Sequence, residues 1–79
     1  MSFFSRWERV INPEGVILRA LRNSSRDGLS GAELSQKTGI MSGRLYPILM
    51  RLEHQGKIRS AWARDSPFPR RRLYHLVGK

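Results

Sequence analysis

The sequence predicts an α+β fold in which helices come first and a two-stranded β-hairpin closes the chain. Three observations carry this expectation. Apolar residues recur at helical spacing as far as Leu52. From Lys57 onward they alternate, as strands with one buried face require. Between the two alternating runs lies Asp65-Ser66-Pro67-Phe68-Pro69-Arg70, too rich in proline for a strand and therefore an exposed hairpin tip.

The elements follow in order. Phe3, Phe4, Trp7, Val10 and Ile11 line one side of a short N-terminal helix capped by Ser2, within an aromatic segment spanning residues 1–11. Such large side chains need cover. Either they close over the core of their own domain, or Phe3, Phe4 and Trp7 meet a second copy in a homodimer. Asn12 followed by Pro13 opens the next helix, cap then first-turn proline, with Glu14 near the positive end of its dipole. That helix runs to about Arg22 and buries Val16, Ile17, Ala20 and Leu21. Asn23 to Gly28 is a polar loop ended by glycine.

Leu29-Ser30-Gly31-Ala32-Glu33-Leu34 then begins a short helix with a capping box, Ser30 capping the Glu33 amide and Glu33 reaching back. Thr38-Gly39 ends it. Ser42 to Gln55 forms the following helix, capped by Ser42 and ended at Gly56. At about 100° per residue, Leu45, Ile48, Leu49 and Leu52 share one stripe, and Tyr46, Pro47, Met50 and His54 stand opposite. Pro47 lacks an amide donor well inside this helix, which predicts a kink there or a helix start nearer Tyr46. In the hairpin, Ile58 and Trp62 share one side of the first strand, Tyr74 and Leu76 alternate along the second, and Trp62 and Tyr74 are expected in the core. Helical core over 12–56 and hairpin over 57–77 make a winged helix-turn-helix: three core helices, a wing, and an extra N-terminal helix.

Composition narrows the function. Seventy-nine residues make one domain, expected to span 1–79, and a chain of that size buries only about 60% of the surface its unfolded form exposes. A large catalytic cleft is not expected. Nor is enzymatic chemistry: the sequence has no nucleophile–base pair, paired carboxylates or glycine-rich phosphate loop. Without cysteine, and with His54 and His75 isolated, no metal site or cofactor is expected. No apolar run reaches the roughly 20 residues of a membrane span, and no signal peptide opens the chain, so a cytoplasmic, nucleoid-associated protein is expected.

Charge points to a polyanion. Fifteen Lys and Arg against six Asp and Glu give +9, with +2 in residues 1–39 and +7 in residues 40–79. Twelve of the fifteen bases are arginine, whose planar fork suits phosphate oxygens and guanine edges. Double-stranded DNA is the expected partner.

Four segments together resemble the PadR-like winged-helix transcriptional regulators: Leu29–Leu34, Gly43-Arg44-Leu45-Tyr46-Pro47-Ile48-Leu49-Met50-Arg51-Leu52-Glu53, Gly56-Lys57-Ile58, and Pro69-Arg70-Arg71-Arg72-Leu73-Tyr74-His75-Leu76. The resemblance runs from about Val16 to Leu76. It is most specific in Leu-Tyr-Pro followed by Arg-Leu-Glu, and that family characteristically carries proline in this helix. It implies a DNA-binding repressor acting as a dimer, with the Ser42 helix in the major groove and the wing near the minor groove or backbone. Family members usually continue into C-terminal dimerisation helices. This chain stops at Lys79, so dimerisation is expected either to use something else, such as Phe3, Phe4 and Trp7, or to be absent, and no small-molecule ligand is expected.

The candidate DNA-binding residues are Lys37, Ser42, Gly43, Arg44, Tyr46, Pro47, Arg51, Arg70, Arg71 and Arg72. Arg44 is expected at a base edge or phosphate, and Arg51, with Tyr46, at phosphate. Arg70, Arg71 and Arg72 alternate along a strand, so two of the three are expected to face DNA. The alternative reading is a winged-helix adaptor binding a protein partner, for example a phage- or plasmid-encoded regulator of a host protein.

Overall fold

The computed structural model describes residues 5–24, 28–62 and 72–78. Along them run α1 (Arg6–Ile11), α2 (Pro13–Arg22), β1 (Leu29–Ser30), α3 (Gly31–Thr38), α4 (Ser42–His54), β2 (Ile58–Trp62) and β3 (Arg72–Leu76). The strands form one antiparallel sheet in the order β1-β3-β2.

α2 buries Val16, Ile17, Ala20 and Leu21, the four residues its periodicity selects, and the Asn12 side chain accepts the Gly15 amide at its start. Against them pack Leu34, Ile40, the α4 stripe, Ile58 and Tyr74, which together form one core. The sheet has one strand more than expected. Leu29 and Ser30 do not simply lead into a helix; they pair with Tyr74 and Leu73 as β1. This buries Leu29 and gives hydrogen-bond partners to the edge of β3 that β2 leaves open. Gly28 makes the entry possible: its φ is +81°, and a β-carbon there would collide with the Tyr74 carbonyl oxygen.

Ser30 has two roles, ending β1 and capping α3. Its hydroxyl accepts the Glu33 amide at 3.2 Å while the Glu33 carboxylate accepts the Ser30 amide at 3.0 Å, the expected capping box. The turn from α3 to α4 is fixed by side chains as well as by Gly39, whose φ is +77°. Thr38, fully buried, donates its hydroxyl to the Leu34 carbonyl at 2.6 Å and accepts the Ile40 amide at 3.2 Å. Ser35 donates to the Ile40 carbonyl at 2.7 Å. With Ile40 itself buried, the angle at which α4 leaves the turn has little freedom.

The N-terminal helix departs from expectation. Its cap is Ser5, and Ser2, Phe3 and Phe4 lie outside the described residues. α1 buries none of its side chains, and Trp7 is 74% and Ile11 72% exposed, so these residues of the segment do not close over the core. It is held instead by polar contacts, with Arg19 of α2 on Glu8 at 2.6 Å.

The Ser5 backbone amide, first, and Arg19 hold the Glu8 carboxyl below its ordinary value. A carboxylate with a depressed folded pKa contributes stability above its unfolded pKa and loses it as pH falls through the folded value. Acidification below about pH 4 is therefore expected to release α1 ahead of the core. Amide exchange across residues 6–11 should rise in acid while that of α2 and α4 stays protected; simultaneous loss would contradict this order.

Candidate nucleic-acid interface

The geometry of the site follows from the core stripe of α4. With Leu45, Ile48, Leu49 and Leu52 turned inward, Gly43, Pro47, Met50 and His54 form the outermost face, all exposed. The helix begins at Ser42 and runs through Pro47 to His54 without a later start at Tyr46. Proline is tolerated because it lies on the solvent side, where water can meet the Gly43 carbonyl that loses its intrahelical donor.

The expected Ser42 cap is not formed. The N-cap is Met41, with no side-chain hydrogen bond, and Ser42 is the first helical residue. The Met41 carbonyl already accepts the Arg44 and Leu45 amides, so the helix begins one residue earlier than a Ser42 cap would allow. Ser42 and Gly43 are exposed, and a β-carbon at Gly43 would meet nothing within 4 Å.

Cationic side chains flank the outer face of α4 on both sides. Towards α1 and α2 stand Arg44 and Arg51, with Pro13 and Pro47 lining the same shallow groove. Arg44 makes a long contact, 3.5 Å, from its guanidinium to the Val10 carbonyl of α1. Arg51 pairs with Glu14 of α2 at 3.2 Å. Towards the sheet lies a second groove of about 420 Å³, lined by Gly31, Tyr46, Met50, Glu53, Arg72 and Tyr74 among others. Tyr46 is half-exposed here and packs so closely that a β-carbon on Gly31 would collide with its hydroxyl. Lys37 is exposed in the last turn of α3.

β2 and β3 pair in register, with Trp62 opposite Arg72, Ser60 opposite Tyr74 and Ile58 opposite Leu76. Tyr74 is buried as expected, and that burial raises its phenol pKa against the opposing charge of Arg72. Trp62 is not in the core. It is 55% exposed, because the covered part of the sheet face ends at Ile58 and Tyr74. Its ring instead carries Arg72, whose guanidinium carbon lies 5.6 Å from the ring centroid. Arg70 and Arg71 lie outside the described residues.

Of the candidates, the structure brings Gly43, Arg44, Pro47 and Arg51 together along one groove of α4 and gathers Tyr46 and Arg72 in the groove on its other side, while Ser42 is exposed at the helix start. Three contributors escaped sequence reasoning: Glu14 on Arg51, Gly31 beneath Tyr46, and Trp62 beneath Arg72. Only Trp62 left a signal in the chain, as the last large apolar residue before a charged tip, where a strand commonly outruns its cover.

Helices packed on a three-stranded antiparallel sheet, with α3 and α4 joined by a three-residue turn over Gly39–Met41, define a winged helix. Within that class, the family model described as transcriptional regulator PadR-like family matches residues 17–78. The chain belongs to this family of transcriptional regulators. A comparison with curated proteins finds no match. Among the described residues, no helix is long and apolar enough to cross a membrane, and no cluster of His, Asp or Glu has the makings of a metal site.

Proposed function

We propose that this chain is a sequence-specific double-stranded DNA-binding repressor whose α4 enters the major groove and whose occupancy blocks transcription. One observation supports this reading above the others: the outer face of α4 carries no Lys, Arg, Asp or Glu and is free of bulk at Gly43, and arginines border it on both sides. An α-helix in a major groove lies between two phosphate backbones, which this arrangement complements. Phosphate contacts supply affinity, and Arg44 with its neighbours supplies base preference. Two copies act together through α1, whose Trp7 and Ile11 are exposed, with Phe3 and Phe4 in the same segment. The chain then works in the cytoplasm, on the nucleoid.

Selection of bound sequences from random duplex DNA tests this. A palindrome with half-sites about one helical turn apart is expected from a symmetric dimer. On the selected duplex, Arg44→Ala should weaken binding by about 1–3 kcal/mol and flatten base preference, whereas Arg71→Ala should weaken all sequences alike. Selection that enriches no sequence defeats the proposal, and equal losses on every duplex for both variants defeat this division of labour.

A further inference from the structure

Trp62 is a large aromatic that the core leaves out, although it shares a sheet face with buried Ile58 and Tyr74. Its exposed ring is met by a cation: the 5.6 Å separation from Arg72 falls within the roughly 6 Å over which a guanidinium is attracted to an aromatic face. Arg72 has no carboxylate partner among the described residues. Glu8 and Glu14 pair with Arg19 and Arg51, and Glu53, the acid lining the same groove, accepts the Ser60 hydroxyl at 3.1 Å. A guanidinium held against a ring keeps its N–H edge available while losing rotamer freedom beforehand.

We propose that Trp62 and Arg72 form a phosphate-gripping platform on the sheet side of α4, in which Trp62 is the positioning residue that holds the Arg72 guanidinium for a DNA backbone phosphate. This rests on the DNA-binding reading above and adds a residue to it. A duplex that takes α4 in its major groove runs one backbone past each side of the helix. Arg44 and Arg51 serve one side. On the other, α4 itself presents Tyr46 and Glu53 and no cation, so the sheet must supply it, and Arg72 lines that groove with Tyr46 and Met50. Phosphate is the ligand, rather than a base, because the platform stands beside α4 and not on its outer face.

A double-mutant cycle on the full chain tests the pairing, using a duplex that the unmutated protein selects and an unrelated duplex. Arg72→Gln should weaken both by about tenfold and flatten the log–log salt slope by about one. Trp62→Leu should weaken both by about two- to fivefold, and Trp62→Phe, which keeps a ring face, should restore most of the loss. In the Arg72→Gln background, Trp62→Leu should change nothing further. Losses that add independently, no loss with Trp62→Leu, or a loss matched by the unfolded fraction in a thermal melt would each overturn the platform while leaving DNA binding in place. If the unmutated chain binds no duplex, both readings fall together.

Discussion

Leu52→Ala is expected to cost about 2–5 kcal/mol of folding stability, the range for truncating a buried leucine. Leu52 is fully buried in the middle of the core, and its carbonyl accepts the Lys57 amide at the turn into β2, so the site has little room to collapse. At about 0.05–0.15 kcal/mol per residue, a chain of this length has roughly 4–12 kcal/mol in total, and the variant loses a large part of it. In urea, with a slope of about 1–3 kcal/mol per molar, the unfolding midpoint should fall by roughly 1 M or more. Met50→Ala is the control: it lies on the same helix but is 69% exposed, and it should stay within about 0.5 kcal/mol of the parent. Similar stabilities for the two variants would mean that α4 does not bury the stripe described.

That stripe was legible in the sequence because helix burial repeats over a few residues. The same holds for Val16, Ile17, Ala20 and Leu21, and for the Ser30–Glu33 capping box, each of which needs only near neighbours along the chain. What escaped is long-range. β1 is two residues long, too short to alternate, and exists because Leu29 meets Tyr74 across the sheet. Arg51 faces Glu14 across 37 positions, and nothing local distinguishes it from an arginine in open water. Trp62 failed for a related reason: alternation tells which face a side chain takes, not how far the core extends beneath that face. Ser42 shows the limit at boundaries, since two neighbouring residues compete for the cap and the backbone chose Met41.

These long-range contacts change how the candidate site works. Sequence reasoning separates these arginines by position alone, Arg44 at a base edge or phosphate, Arg51 at phosphate and Arg72 among the wing arginines. In the fold they differ in what restrains them: Arg51 by a carboxylate, Arg44 by a long contact to a backbone carbonyl, Arg72 by an aromatic ring. Restraint by a carboxylate competes with phosphate, whereas restraint by a ring does not. The side of α4 nearer the sheet is therefore expected to grip phosphate more strongly for each arginine than the side nearer α2.

Raising monovalent salt from 50 to 200 mM is expected to weaken duplex binding about a thousandfold, from a log–log slope near −5 for roughly six phosphate contacts at about −0.9 each. The slope counts cations that release counterions from DNA, and the candidates are Lys37, Arg44, Arg70, Arg71 and Arg72 from each copy, with Arg51 contributing less because Glu14 already neutralises it. A dimer with every one of these on phosphate would exceed six contacts, so a slope near −5 also means that some arginines meet base edges or water. Fluorescence anisotropy on one duplex across the salt range measures it directly. A slope shallower than about −2 would remove phosphate as the main source of affinity. That outcome would favour the adaptor reading, in which the same arginines meet a few carboxylates of a protein partner rather than the dense charge of a duplex.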